Sequence, residues 1–264
     1  MTDTQTLAYL VAERGRRPEL DELIDLHIAV LQARSEVKVD SPQILEGQAR
    51  ERLERGEPLL KIAELTLDWA AFAELFQSIC EAVARTAPAR ANDLLAVSNL
   101  ASTLEAAARL ARASLEERSG DPLVTFVLNN TLHPFLAAWA QAYAQNAQEF
   151  LSDEVWYRSF CPVCGGAPDL AVLQKASGGR RLVCSRCDFE WSFHRSLCAF
   201  CGAEGEQGYF PDGLGAYRLY ACGKCRRYLK TIDLRELARG VDLPGERILT
   251  LGMDMAARAA GYLS

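Results

Sequence analysis

The chain contains 264 residues, of which 49% are apolar and 24% are charged, and its 29 basic and 35 acidic side chains give a formal net charge of −6. These fractions are typical of a folded globular protein and exclude disordered, collagen-like and coiled-coil chains. No apolar run approaches the roughly 18–20 residues that a membrane-spanning helix needs. The first 20 residues lack the basic-then-apolar order of a secretory signal. We therefore expect a cytoplasmic protein without a membrane span.

The first 155 residues predict a helical bundle. Apolar side chains recur at three- and four-residue steps, the period of an amphipathic helix, and the stretches concerned are residues 18–34, 68–85 and 89–118. Ser41 and Pro42 are typical of a helix N-cap and first turn, so we expect a helix from there to Gly56. Asp121-Pro122 predicts a further helix start, and Pro134 predicts a kink or restart within that helix.

The composition and the periodicity of the sequence change after residue 155: glycine and cysteine become frequent, and apolar residues no longer recur with the helical period. Short runs with strand-forming residues lie between turn signals, and they cover residues 180–183, 190–193, 216–220 and 228–232. Residues 246–263 return to a helical pattern. We therefore expect small β-ribbons followed by one short helix.

Cysteine spacing carries the strongest signal in the chain. Eight of the nine cysteines form four C-x-x-C pairs, namely Cys161/Cys164, Cys184/Cys187, Cys198/Cys201 and Cys222/Cys225. Thiols stay reduced in the cytoplasm, which disfavours a disulfide framework. A thioredoxin-like enzyme needs one such pair at a helix start rather than four. The four pairs therefore predict metal binding.

Nineteen residues separate the first pair from the second, and 20 separate the third from the fourth. Each interval is long enough for a β-hairpin that returns one pair to the other. Glycines follow Cys164 and Cys201, where they ease the knuckle turn that aims two sulfurs at one ion. We predict two tetrathiolate sites, 161/164 with 184/187 and 198/201 with 222/225, with crossed pairing as the alternative. Zinc and iron suit such sites equally well.

A site closed by four sulfurs has no open position for a bound water, which argues against metal-dependent hydrolysis. We expect no catalytic residues and therefore no enzyme. Other candidates have simpler interpretations: Cys80 and His27 lie on apolar helix stripes, His133 precedes a proline at a helix break, and His194 is a weak alternative ligand. The aromatic residues of the second half are expected to cover the ribbons, and they are Trp156, Trp191, Phe193 and Tyr228.

Charge is distributed unevenly. Residues 1–154 contain 14 basic and 24 acidic side chains, whereas residues 155–232 contain 11 and 6. A nucleic-acid reader is usually basic as a domain, and metal-bound thiolates would nearly cancel this modest excess. Nucleic acid is therefore an unlikely partner. Arg226-Arg227 beside Cys225 could meet an acidic partner or compensate the negative metal site.

The order of the motifs resembles the formate dehydrogenase accessory protein family, FdhE. The matching stretches are CPVCGG from Cys161, RRLVCSRC from Arg180, Glu190-Trp191, Arg195, CGKC from Cys222 and YLK from Tyr228, with DPLV from Asp121 and LHPFL from Leu132 in the helical part. The resemblance implies a cytoplasmic, rubredoxin-like, iron-binding maturation factor. It also implies a partner, the catalytic subunit of a molybdenum- or tungsten-dependent formate dehydrogenase.

Two other classes of function remain open from the sequence. A tetrathiolate iron that cycles between its two oxidation states would make the protein an electron carrier. A pair of zinc sites would suit a zinc-ribbon adaptor for protein or nucleic acid. For the fold we expect an α+β protein, an all-α bundle followed by two tandem rubredoxin-like or zinc-ribbon modules. The expected segments are a helical bundle at 1–155, a first ribbon at 156–196, a second ribbon at 197–245 and a C-terminal helix at 246–264.

Overall fold

The computed structural model describes residues 2–263 except 41, 43, 45, 62–65, 117–119, 154–155, 206 and 212–214. The chain divides into two compact units. The first unit consists of Met1–Asp40, Leu60–Ala138 and Asp242–Leu249, and the second consists of Ser41–Leu59, Trp139–Val241 and Thr250–Ser264.

Helices dominate the first half of the chain and return at its end. In chain order they are α1 (Asp3–Glu13), α2 (Asp21–Ser35), α3 (Glu46–Glu54), α4 (Trp69–Thr86), α5 (Ala91–Ser98), α6 (Leu104–Leu115), α7 (Pro122–Asp153), α8 (Leu243–Leu249) and α9 (Leu251–Ala259). Among the helices of the described residues, none combines the length and the apolar character needed to cross a bilayer.

Helix α4 is central to the first unit and packs against α2, α5 and α6. It begins at Trp69 because the Asp68 carboxylate accepts hydrogen bonds from the N–H groups of Ala70 and Ala71 in the first turn, both at 3.0 Å, which gives those otherwise unpaired donors a partner. Phe72 and Phe76 are fully buried, and the ring of Phe72 lies 6.1 Å from that of Phe135. The apolar stripe predicted over 68–85 is thus the core of this unit.

Two helix predictions need correction, and one of the two outcomes predicted for Pro134, a restart of the helix, is not seen. The stretch 89–118 forms α5 and α6 rather than one helix, because the Thr103 hydroxyl accepts from the Ala106 N–H and starts a new helix. Leu100 and Leu104, expected on the buried face, are exposed. Pro134 lies inside α7 without ending it. The predicted C-terminal helix is two helices, α8 and α9, separated at residue 250.

The helix predicted to start at Ser41 and Pro42 also differs. Helix α3 begins at Glu46, and Pro42 lies outside it, while Ser41 lies outside the described residues. The predicted end is correct, since Gly56 follows the helix with a φ of +73°. Residues 41–59 belong to the second compact unit rather than to the helical first unit.

The second unit contains a six-stranded sheet. Its strands are β1 (Pro168–Leu173), β2 (Arg180–Cys184), β3 (Glu190–Phe193), β4 (Gln207–Pro211), β5 (Tyr217–Cys222) and β6 (Tyr228–Asp233), arranged in the order β3-β2-β1-β6-β5-β4. The four predicted strands correspond to β2, β3, β5 and β6, whereas β1 and β4 were not predicted.

Each ribbon is an antiparallel three-stranded meander, and the two meanders share one sheet. The connection is the parallel pairing of β1 with β6, which places Leu170 opposite Lys230 and Leu173 opposite Asp233. All six residues of β6 are buried. The predicted α+β class, with helices first, two cysteine clusters in the sheet region and a short helix at the end, is confirmed. The predicted boundaries between the bundle, the two ribbons and the C-terminal helix stay a prediction. The two compact units are a different division of the chain, and each contains residues from both sides of those boundaries.

Candidate metal centres

Eight cysteine sulfurs form two clusters of four in the described residues. The first contains Cys161, Cys164, Cys184 and Cys187, and the second contains Cys198, Cys201, Cys222 and Cys225. In each cluster all sulfurs lie within 4.8 Å of one another. The clusters follow the predicted pairing within each ribbon, and none of these cysteines is in a disulfide.

The sulfur spacing matches a tetrahedral ion site. In the first cluster Cys164 Sγ lies 3.4 Å from Cys184 Sγ and 3.5 Å from Cys187 Sγ. In the second cluster Cys198 Sγ lies 3.7 Å from Cys225 Sγ, and Cys201 Sγ lies 3.8 Å from Cys222 Sγ. Four sulfurs at about 2.3 Å from a central ion are about 3.8 Å apart, whereas a disulfide would bring two sulfurs to about 2.05 Å. The residues present therefore fit a four-coordinate metal ion.

All four C-x-x-C turns share one backbone geometry. In the first turn the Cys161 N–H donates to the Gly166 carbonyl at 2.8 Å, and the Gly165 N–H donates back to the Cys161 carbonyl at 2.9 Å. The same two bonds recur at the equivalent positions of the other three turns, which begin at Cys184, Cys198 and Cys222. This closed loop brings both sulfurs of a pair to the same side.

The residue after the second cysteine adopts a left-handed conformation in every turn, with φ between +57° and +72°. Glycine occupies this position in two turns, as predicted, at Gly165 and Gly202. Asp188 and Arg226 occupy it in the other two, and they are the non-glycine residues with positive φ in the described chain. Left-handed φ costs an L-residue about 1–2 kcal/mol, so these two turns hold strain that the remaining contacts must offset.

Backbone N–H groups point at the sulfurs. The Arg186 N–H lies 3.4 Å from Cys184 Sγ, and the Phe200 N–H lies 3.5 Å from Cys198 Sγ. Such donors favour the thiolate form. In the first cluster, burial raises the pKa of Cys161 and Cys187 well above the ordinary thiol value. Four thiolates this close together in a buried site would need a cation to balance their charge.

Tyr143 is a buried neighbour of the first cluster. Its ring is fully buried and packs edge-on against Phe189, with centroids 5.5 Å apart. The hydroxyl has no hydrogen-bond partner within the described residues. Burial, and then Cys161, raise the pKa of Tyr143, so its hydroxyl stays protonated.

The remaining candidates lie outside the clusters. Cys80 is buried on α4 in the first unit, where burial and then Glu81 raise its pKa to about 12; this agrees with an inert thiol. His194 is exposed and stacks on Tyr157 at 3.9 Å between ring centroids. Both clusters found in the described residues consist of cysteine alone.

The two other histidines also have structural surroundings. His27 meets Phe126 edge-on in the first unit, and burial lowers its pKa to about 4. His133 contacts the guanidinium of Arg34 and lies within α7 rather than at a helix break. The helix break expected next to His133 is therefore not the arrangement seen.

The side chains that surround the sheet follow the prediction closely. The four expected covering aromatics are all buried, at 7% exposure or less: Trp156, Trp191, Phe193 and Tyr228. Arg227 stacks over Phe200 at 3.8 Å from the ring centroid, and Arg226 stacks over Tyr262 at 4.2 Å. Both arginines of the predicted basic pair thus pack on aromatic rings near the second cluster.

Several residues around the clusters were missed by the sequence analysis. The Leu59 N–H donates to the Pro162 carbonyl at 2.9 Å, and Leu263 pairs with the backbone on either side of Arg227. These contacts join segments far apart in the chain, and neither spacing nor composition gives a local signal for them.

Comparisons with known proteins agree with this site. A family model described as FdhE, central domain, matches residues 160–195, which contain the whole first cluster. The protein FdhE homolog of Aquifex aeolicus (strain VF5) is 28% identical over 254 residues, covering 92% of this chain and 84% of that protein. The predicted resemblance to the FdhE family is confirmed.

Other FdhE homologs match over part of their length. The homolog of Shewanella baltica (strain OS223) is 32% identical over 113 residues, 41% of this chain and 37% of that protein. The homolog of Haemophilus ducreyi (strain 35000HP / ATCC 700724) is 31% identical over 129 residues, 47% of this chain and 42% of that protein. The chain thus spans less than half the length of these two relatives.

The fold is shared with a solved FdhE structure. The crystal structure of the FdhE protein from Pseudomonas aeruginosa superposes with a TM-score of 0.64, over 99% of this chain and 91% of that one, at 22% sequence identity. The arrangement of helices and sheet is therefore that of an FdhE protein.

Proposed function

We propose that this FdhE-family protein is a non-catalytic, cytoplasmic accessory factor that binds the catalytic subunit of formate dehydrogenase and assists its assembly. The supporting observation is the pair of four-sulfur clusters. Four protein sulfurs complete the coordination of a tetrahedral ion. Such an ion has no free position for a substrate or a water, so its role in this protein is to hold structure.

The eight clustered cysteines are the proposed ligands, four for each of two ions. Iron and zinc both suit tetrahedral sulfur. When bound, the ion supplies cross-links between the two turns of a ribbon. The sheet itself is small, and a metal contributes on the order of 10 kcal/mol to the folding of such ribbons. We expect the second unit to unfold when both ions are removed.

Ion binding at the two turns of a ribbon fixes the hairpin between them. Residues 165–183 join the turns of the first cluster, and residues 202–221 join those of the second. We propose that these hairpins and the surrounding sheet present a shaped surface to a large protein client. A docking role also agrees with the presence of a sizeable helical unit, which a simple electron carrier would not need.

Co-purification tests this function. A tagged catalytic subunit of formate dehydrogenase, produced together with this chain, should retain it on affinity resin, and cells lacking the chain should lose formate dehydrogenase activity at unchanged mRNA level. The double variant Cys198→Ser with Cys201→Ser should not be retained on the resin, and it should fail to restore formate dehydrogenase activity to the deletion cells. Cys80→Ala is the matched control, since this buried thiol lies outside both clusters. Full activity in deletion cells that contain no paralogue would contradict the proposal.

One observation favours an electron carrier as the second candidate. Cys201 is exposed and Cys225 is half-buried, and solvent exposure is one of the factors that set the potential of a sulfur-bound iron. This function requires iron. Elemental analysis and the visible spectrum of the purified protein separate the two, because a zinc-only protein is colourless and cannot transfer electrons.

A further inference from the structure

The two clusters differ in their access to solvent. All four cysteines of the first cluster are buried, with exposures of 0–2%. In the second cluster Cys198 and Cys222 are buried, but Cys225 is half-buried and Cys201 is exposed. An incoming ligand therefore has a route to a sulfur of the second cluster and none to a sulfur of the first.

Packing explains why the first cluster is closed. The chain at residues 57–59 lies on its first turn, where the Leu59 N–H bonds to the Pro162 carbonyl at 2.9 Å. A side chain at Gly165 would place its Cβ 3.3 Å from the Pro58 ring, so the two segments are in close contact. On its second turn, Phe189 packs against the buried ring of Tyr143.

The cover of the second cluster is thinner and lies to one side. Arg227 stacks on Phe200, and Leu263 forms two backbone hydrogen bonds beside the last turn, to Arg226 at 2.7 Å and from Tyr228 at 3.0 Å. These contacts hold the turn that contains Cys225. On the other turn, a Cβ at Gly202 would meet no atom of the described residues within 4 Å, so those residues leave the backbone next to Cys201 uncovered.

We infer that the two sites have different tasks: the first holds its ion permanently, and the second is an exchangeable site that opens at Cys201. This inference rests on the proposed metal binding and adds a second activity to it, the transfer of a thiophilic ion to or from an incoming thiol or chelator. In the opening step a bond would form between the ion and the incoming sulfur or nitrogen, and the bond between the ion and Cys201 would break. The released Cys201 thiolate would take up the proton that an incoming thiol loses, or a proton from the solvent when the chelator enters as its anion.

Metal release from the zinc-loaded full chain tests the inference. The chelator 4-(2-pyridylazo)resorcinol changes absorbance when it captures zinc, which gives both the number of ions and the rate of release. We expect two equivalents per chain, the first released at least tenfold faster than the second. Iodoacetamide added during the fast phase, with mapping by mass spectrometry, should label the cysteines of the second cluster and spare those of the first.

Variants assign the phases. Cys198→Ser with Cys201→Ser should remove the fast phase, and the matched pair Cys161→Ser with Cys164→Ser should remove the slow one. Should the second pair fail to fold, the labelling pattern of the unmodified protein decides the question alone. Two equivalents released at one rate, or early labelling of the first cluster, would overturn this inference and leave the accessory function standing. Fewer than two bound equivalents would overturn both.

Discussion

Substituting Asp188 by glycine and by alanine measures the strain in a knuckle turn. Both changes remove the same side chain beyond Cβ, so the difference between them isolates the backbone. At a φ of +57° an L-residue costs about 1–2 kcal/mol more than glycine. Glycine loses about 0.5–1 kcal/mol through its greater freedom in the unfolded chain. We therefore expect Asp188→Gly to be more stable than Asp188→Ala by about 1 kcal/mol, roughly a fivefold difference in the unfolding equilibrium.

Urea unfolding of the zinc-loaded protein provides the measurement. Free zinc must be held at one concentration, because a bound ion stabilises the fold by mass action. The exposed Ser185 in the same turn is the control, since its φ is not positive. There the order should reverse, with alanine more stable than glycine.

An alanine at position 188 that is as stable as glycine would refute the strain argument for that turn. If alanine is more stable than glycine at both Ser185 and Asp188, the measurement reports only the conformational freedom of the unfolded chain. Either result would mean that the contacts of the first cluster, rather than its backbone geometry, decide which residue follows Cys187.

Three further predictions concern other parts of the structure. Asp254→Ala should destabilise the second unit by about 3 kcal/mol in denaturant unfolding, because it leaves the buried Lys230 ammonium, now 2.6 Å from that carboxylate, without its counter-ion. Gly202→Ala should lower the free energy of unfolding by about 1 kcal/mol, because this position has a left-handed φ. Gly165→Ala should lower it further, because Gly165 has a left-handed φ and also faces a proline ring. Between pH 6.5 and 4 His27 takes up a proton in the unfolded chain but stays neutral in the folded protein. The free energy of unfolding should therefore fall by at most about 3 kcal/mol over this range. His27→Gln should remove this contribution to the pH dependence of stability.

Each of these has a contrary result. If Asp254→Ala is as stable towards denaturant as the exposed control Met255→Ala, Lys230 is held by its other contacts. Equal costs at Gly165 and Gly202 would mean that the proline moves freely. An unchanged acid slope in His27→Gln would assign that slope to the carboxylates.

The cysteine clusters were predictable because the turns that form them leave a local pattern in the sequence. Two sulfurs three residues apart need a tight turn, and glycine after Cys164 and Cys201 marks it in the sequence. Asp188 and Arg226 occupy the equivalent position without glycine, so the shared turn was visible in only two of its four copies. The pairing of the turns followed from the hairpin lengths between them.

Helix boundaries were predicted less well, because periodicity records burial and not the points where a helix starts. Thr103 breaks the stretch 89–118 by capping a new helix, and a threonine in an alanine-rich run is an easily missed cap. Pro134 removes one N–H donor, yet α7 continues through it, since packing along a long helix outweighs the loss of one bond.

The joint between the ribbons was not predictable from the sequence. Leu170 and Lys230 are 60 residues apart, and a parallel pair of strands leaves no turn signal between its partners. Its consequence is mechanical. Two ribbons that were expected to stand in tandem share β1 and β6 as the central strands of one sheet. An ion bound at either cluster would therefore stabilise a meander whose inner strand pairs with the inner strand of the other meander. In the proposed division of tasks, the closed first cluster would keep the sheet in place while the second cluster opens at its exposed cysteine.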